Sequence, residues 1–252
     1  MVKPTARRGN GKVLAVIPSR LASTRLPRKP LVEIAGKPMI QWVYERAKQA
    51  KLIDKLVVAT DSDEIYEAVV AFGGEALMTS PDHQSGTDRL VEAAQAIDGY
   101  DVVLNVQGDE PMLCHQTLDL LIEGFLESSR APMGTLVKRT TNEGDIMDSN
   151  SPKVVVSAQG DALYFSRSPI PYNRDDRTDV EYFLHIGVYI YDKEFLLQYP
   201  NLGESKLERA ERLEQLRALE FGHSISVFET ESSSIGVDTP ADLERVRKLL
   251  SN

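Results

Sequence analysis

The stretch "KVLAVIPSRLASTRLPRKPL", residues 12–31, decides the reading of this chain. It opens on a short, unbroken, β-branched apolar run, as expected of a strand buried on both faces. It then breaks into an irregular loop carrying Arg20, Arg25, Arg28 and Lys29, stiffened by Pro27 and Pro30. A buried strand that ends in a cationic loop places those cations at the strand's carboxyl end. In open α/β sheets that is where ligands bind.

The run recurs. "KLVVAT" (55–60) and "DVVLNVQ" (101–107) have the same texture, and helical patterns separate them. In "KPMIQWVYERAKQ" (37–49), Pro38 suits a first helical turn, and Ile40, Val43, Tyr44 and Ala47 form one apolar face. In "DSDEIYEAVVAFGG" (61–74), Asp61 and Glu64 have capping-box spacing and Gly73–Gly74 supplies the stop. "TDRLVEAAQAI" (87–97) and "TLDLLIEGF" (117–125) repeat the pattern. Alternating strands and helices predict a parallel sheet.

After about residue 130 turns replace helices. "MGTLVKR" (133–139), "KVVVSAQGDALYFSRSPIP" (153–171) and "HIGVYIYDK" (185–193) read as strands, with a hairpin at "AQGDA" and a polar loop over 172–181. A helix is expected over roughly 204–221, then strands "SISVFET" and "SSIGVD", then a last helix opened by "TPAD" (239–242). On a continuous 204–221 helix Leu207, Ala210, Ala218 and Phe221 fall on one side and Leu213, Leu216 and Leu219 on the other. Such a helix is packed on two sides, so a second layer or a partner subunit covers it; with the strand-rich second half this suggests a dimer.

Composition narrows the function. The 252 residues carry a net charge of -9, yet all eight Lys and Arg up to Val32 come without a single acid. The acidic whole repels nucleic acid, while the basic loop attracts one compact anion. A single cysteine, Cys114, excludes an intramolecular disulfide and a Cys-rich zinc site. Neither a membrane-length apolar run nor a signal-peptide core is seen, so a cytoplasmic protein is expected.

Two acids stand out by position. Asp109 follows the strand "VVLNVQ", and Asp238 follows the expected strand "SSIGV". Both would face the cationic loop, and Mg²⁺ takes one or two carboxylates and completes its shell with phosphate oxygens and water. Taken singly, an Asp after a strand is most often a turn former or a helix cap, and Asp238 beside Thr239 suits that role. Glu214 projects into an apolar stripe, where a carboxylate is costly unless paired or set in a pocket, although a stripe edge reaching water serves as well. The loop is not a Walker sequence, since Pro38 follows Gly36–Lys37.

"IPSRLASTRLPRKPL", "GKPMIQWVYERA", "VATDSDEI", "DHQSGTDRL", "NVQGDEP", "YFSRSPIP", "HIGVYIY", "LEQLRALEFG" and "GVDTPADLERV" occur in this order over residues 12–250. Together they resemble the 3-deoxy-manno-octulosonate (Kdo) cytidylyltransferase family. The resemblance implies an α/β, Rossmann-like nucleotidyltransferase fold: a mostly parallel central sheet flanked by helices, with a smaller mixed-sheet subdomain in the second half. It implies one domain over 12–252, with sugar binding and dimerisation in about 130–200; residues 1–11 lie outside the match and are expected to be a disordered extension.

The implied reaction converts CTP and Kdo to CMP-Kdo and pyrophosphate, for lipopolysaccharide biosynthesis, with Mg²⁺ and in a homodimer. By the same resemblance Arg20, Arg25 and Lys29 hold the triphosphate. Pro18, Ser85, Gly86, Thr87 and Gln107 hold the cytidine or orient the sugar. Asp109 and Asp238 bind Mg²⁺, and Arg167, His185, Glu214 and Gln215 bind Kdo. Arg25, Lys29, Asp109 and Asp238 form the catalytic set. The family reads glycine where this chain has Arg28. A left-handed backbone there would strain the arginine; otherwise it adds a cation near the phosphates. The alternatives are 8-amino-Kdo as acceptor, another sugar nucleotidyltransferase, and a nucleotide-binding protein without turnover.

Overall fold

The computed structural model describes residues 11–22, 26–83, 85–127, 130–175, 177–232 and 235–250. The expected extension, apart from residue 11, and Arg25 lie outside the described residues. The three runs that read as buried strands form β1 (Val13–Ser19), β4 (Lys55–Thr60) and β6 (Val102–Asn105). Between them come the small β2 (Glu33–Ile34) and β3 (Lys37–Pro38) ribbon, α1 (Met39–Ala47), α2 (Asp63–Ala71), β5 (Ala76–Met78) and α3 (Gly86–Ala96). Strand β1 shows why an unbroken apolar run was needed. Val13, Ala15 and Ile17 enter one core with α1, α2 and α4 (His115–Glu127), while Leu14 and Val16 enter the other with α3.

The second half supplies β7 (Met133–Thr140), the hairpin β8 (Lys153–Val156) and β9 (Ala162–Ser166), β10 (Tyr182–Asp192) and β11 (Ile225–Glu229). The strand order is β11-β7-β10-β6-β1-β4-β5. Every strand on this path is parallel to its fellows except β10, which runs antiparallel to both β6 and β7. The β8–β9 hairpin attaches antiparallel to the start of β10. The fold is the mixed α/β architecture expected, with a mostly parallel centre and an antiparallel addition from the second half. Short helices α5 (Glu143–Met147), α6 (Lys193–Gln198), α7 (Lys206–Glu211) and α8 (Leu216–Glu220), and the last helix α9 (Pro240–Leu250), complete the chain.

Three local expectations are corrected. Ser62, not Asp61, caps α2, its side chain accepting from Ile65 N; Asp61 instead pairs with the buried Arg89 at 2.8 Å. The expected strand "SSIGVD" does not form in its described residues 235–238. The expected helix over 204–221 is two helices, broken at Arg212, whose φ of 52° is left-handed. The break has a packing reason: it lets Leu213, Leu216 and Ala218 all enter the core, while Ala210 and Phe221 stay exposed. The 204–221 segment is therefore no continuous two-sided helix, and that argument for a partner subunit falls away.

Arg28 is decided here. Its φ is 56°, so it pays the steric cost of a left-handed residue, about 1 kcal/mol. Its guanidinium turns to Glu64 of α2, both side chains being more than half exposed. An exposed pair of this kind returns little. Arg28→Gly is therefore expected to leave stability in urea unfolding unchanged or raised by up to about 1 kcal/mol. The same variant should keep its CTP affinity within about two-fold; a ten-fold loss would return Arg28 to the phosphates.

Candidate active site

The carboxyl end of β1 runs through Pro18 and Ser19 into the cationic loop, which closes with a 3₁₀ turn at Lys29–Leu31. The loop after β6 lies directly against this strand end. Gly108 makes the approach feasible, because a Cβ there would sit 3.1 Å from the Pro18 carbonyl oxygen. Asp109 is thereby set beside Lys29, whose Nζ donates to Asp109 Oδ2 at 2.7 Å.

Asp238 reaches the same place by another route. No strand delivers it; Val237, fully buried, donates its N–H to the Asp109 carbonyl at 2.9 Å. Lys29 Nζ then also donates to Asp238 Oδ1 at 2.8 Å. The helix-cap alternative for Asp238 is not what forms. Thr239 Oγ1 accepts from Asp242 N, and Asp242 Oδ2 receives the N–H groups of Asp238 and Thr239. Burial disfavours the charge on Lys29, but Asp109 and Asp238 outweigh it and hold its pKa above the ordinary value.

These groups line a cavity of about 720 Å³ with Pro18, Ser19, Arg20, Gln107 and Gly108. Ser19 Oγ is buried there without a partner. Among the described residues no cluster of three or more His, Cys, Asp or Glu exists to hold a metal. A pair of carboxylates that already grips a cation, open to a cavity that Arg20 and Lys29 also line, nevertheless fits Mg²⁺ with phosphate oxygens as its other ligands.

A second cavity of about 140 Å³ adjoins the first and shares Pro18 and Gln107 with it. Gly86 and Thr87 at the start of α3, Tyr189 and Tyr191 of β10, Tyr199, Asn105, Glu214 and Gln215 complete it. Asn105 and Gln215 are nearly fully buried, yet Asn105 Oδ1 and Gln215 Nε2 have no partner. Buried polar atoms are almost always paired, so two orphans facing one cavity mark a ligand subsite. The break after α7 serves this cavity as well as the core. It turns Glu214 inward, and Tyr199 Oη donates to the Glu214 carbonyl at 2.8 Å. Burial raises the pKa of the Glu214 carboxyl, opposed by hydrogen bonds from Thr87 and Ser85. Ser85 is also the N-cap of α3, in a capping box with Asp88.

Arg167 and His185 line neither cavity. The Arg167 guanidinium donates to the carbonyls of Ser149, Glu211 and Arg212. His185 lies behind the second cavity, its ring 5.3 Å from that of Tyr189 and 5.1 Å from Phe165. A β-bulge between Ile186 and Tyr189 brings both the Val188 carbonyl and the His185 ring to Thr135 and turns the Gly187 carbonyl to accept from Gln107 Nε2 at 2.9 Å. The single proton of Thr135 Oγ1 goes to Val188 O at 2.8 Å, so Thr135 accepts from His185 Nε2–H at 3.1 Å.

Burial lowers the His185 pKa to about 3. The unfolded chain binds this proton below about pH 6.5, whereas the folded one does not until near 3. Stability contributed by the neutral ring is therefore lost as pH falls across that window, by about 1.4 kcal/mol per pH unit. His185→Gln should show a correspondingly shallower decline between pH 4 and 6 in denaturant titrations; an unchanged slope would mean that the ring titrates normally.

Residues missed in the sequence are Ser19, Asn105, Tyr189, Tyr191 and Tyr199. Two of them, Ser19 and Asn105, are the terminal residues of β1 and β6, so strand ends were the usable signal.

A cytidylyltransferase family model matches residues 14–225. A 3-deoxy-manno-octulosonate cytidylyltransferase from Solibacter usitatus is 49% identical, the match covering 94% of each chain. Its counterpart from Geobacter sulfurreducens is 48% identical, over 94% of this chain and 99% of its own. The chain belongs to the 3-deoxy-manno-octulosonate cytidylyltransferase family. It is an enzyme of the nucleotidyltransferase class. Within the family a structure of CMP:2-keto-3-deoxy-manno-octonic acid synthetase complexed with CTP superposes with a TM-score of 0.91. That pair is 46% identical and covers 95% of this chain and 98% of the other. Beyond the family, 4-diphosphocytidyl-2C-methyl-D-erythritol synthase from Anaerococcus prevotii shares the fold at 15% identity and a TM-score of 0.65.

Proposed function

We propose that this protein transfers CMP from CTP to Kdo, releasing pyrophosphate, as the activation step of lipopolysaccharide biosynthesis. The carrying observation is the pair of adjoining cavities that share Pro18 and Gln107. One carries two cations, Arg20 and Lys29, and two carboxylates, as a metal-bound triphosphate requires. The other presents an unpartnered acceptor and an unpartnered donor, as a polyhydroxylated acid requires.

The chemistry follows from this placement. Arg20 and Lys29, which line the larger cavity beside Ser19, hold the CTP phosphates, and Arg25 joins them on the strength of the family resemblance alone. Kdo lies against Glu214, Gln215 and Gln107, and Asn105 and the hydroxyls of Ser85 and Thr87 order the hydroxyls it presents. Arg167 is the cation proposed for the Kdo carboxylate, which would compete with the backbone carbonyls it now serves. The neutral His185 stiffens the tyrosine wall. The anomeric oxygen attacks the α-phosphorus in line, the bond to pyrophosphate breaks, and the hydroxyl proton passes to solvent. Positioning and charge neutralisation provide most of the acceleration of such a transfer. Asp109 and Asp238 would hold Mg²⁺, which would supply further charge neutralisation and lower the pKa of the attacking hydroxyl.

The proposed setting is cytoplasmic; among the described residues no helix is long and apolar enough to cross a membrane. The proposed homodimer has support in the large apolar side chains left exposed in the second half, Met147, Leu163 and Tyr172. A monomer by light scattering would contradict it.

Pyrophosphate release with CTP and Mg²⁺ tests the function, with Kdo, 8-amino-Kdo and a sugar 1-phosphate as competing acceptors. Kdo is expected to be preferred. Preference for the amino sugar or the phosphate would move the assignment to that acceptor, and tight CTP binding without turnover would make the protein a nucleotide binder.

A further inference from the structure

Lys29 holds an unusual place in the larger cavity. Its single ammonium bridges Asp109 Oδ2 and Asp238 Oδ1, at 2.7 and 2.8 Å, from a side chain that is only 15% exposed. The two loops that carry the carboxylates are tied together, because Val237 N donates to the Asp109 carbonyl. The base of the lysine is fixed as well, since the 3₁₀ turn is closed by Leu31 N on the Arg28 carbonyl and Pro30 is buried.

Two like charges held side by side need a cation between them. Lys29 provides it, at the position that suits a divalent ion. An ammonium and a divalent cation within about 3 Å repel strongly, so they cannot share these oxygens. The ammonium must first find another anion, and the cavity that Lys29 itself lines, beside Arg20, is where the proposed triphosphate lies.

We propose that Lys29 is a resident substitute for the divalent cation, released from Asp109 and Asp238 only when a polyphosphate takes up its ammonium. Metal and nucleotide then load together, and the protein without nucleotide is protected from idle metal binding. This rests on the nucleotide reading of the larger cavity but not on which sugar is the acceptor.

The test uses Mn²⁺ alone, with no nucleotide or sugar, followed by the loss of its free electron paramagnetic resonance signal on binding. The wild type should bind weakly. Lys29→Met should bind Mn²⁺ at least ten-fold more tightly, and Lys29→Met with Asp238→Asn should lose that gain. Equal binding by wild type and Lys29→Met overturns the proposal, as does a gain that survives in the double variant. A measurement on the unaltered protein guards against a misfolded variant. The Lys29 ¹⁵Nζ resonance should shift on adding CTP in chelator and stay in place on adding Mg²⁺ alone; a shift with Mg²⁺ alone also overturns it. Because no readout involves sugar turnover, failure of the Kdo assignment would show separately in the pyrophosphate assay.

Discussion

Asp109→Ala should fold normally and release pyrophosphate from CTP at least about 1,000-fold more slowly than the wild type, a loss of roughly 4 kcal/mol of transition-state stabilisation. The expectation rests on position. Asp109 sits where β6 ends, and its carboxylate is one of two that grip the same cation. Removing it takes away a proposed metal ligand at the place where charge develops during phosphoryl transfer. Little stability should go with it, since the side chain is one-third exposed and Lys29 keeps Asp238 as a partner. Thermal melting and pyrophosphate release on one preparation separate the two effects. A folded variant with near-normal release would remove Asp109 from the metal site.

The second large effect falls on stability. Lys153 is completely buried in β8, yet it carries an ammonium. Burial pushes its pKa down, and the charge is accommodated by three carbonyls: those of Asp148, Ser151 and Arg167, at 2.7, 2.7 and 2.8 Å. Its three protons thus join the 148–151 turn to the end of β9. Arg167 continues the connection, reaching Ser149 on one side and Glu211 and Arg212 on the other.

Lys153→Met keeps the volume but orphans the carbonyls of Ser151 and Arg167, each costing about 1–3 kcal/mol when buried, while the Asp148 carbonyl keeps the Ser151 N–H. Relief of the ammonium's desolvation offsets part of this. A net loss of about 3 kcal/mol is expected, lowering the melting temperature by roughly 10 °C for a chain of this size. Since Arg167 loses its frame, the affinity for the acceptor should weaken while that for CTP does not. An unchanged melting temperature would mean that the carbonyls find other donors.

The two effects show how differently the parts of this protein could be read from its residues. Asp109 and the cationic loop were legible because each follows a recognisable buried strand at its carboxyl end. Lys153 was not: in "KVVV" it looks like the polar edge of a strand, and its three carbonyls come from two separate turns. Arg167 and His185 were given their roles by resemblance, and neither lines a cavity. Glu214 was noticed for a helical stripe that does not exist, and it earns its place through the break at Arg212 instead.

By itself the sequence determined the long central strands, most of the helices and the end of the sheet that would carry the chemistry, but not the short β2, β3 and β5. Unbroken apolar runs and capping residues act over a few positions, so they survive in a linear string. Only the tertiary structure decided that Lys29 grips Asp109 and Asp238, residues 80 and 209 positions away. The same holds for Arg28, which turns to Glu64, and for Asn105, Gln215 and three tyrosines that enclose one small cavity. Such contacts follow from how sheet, loops and broken helix pack together, and packing between distant segments leaves no period in the sequence to read.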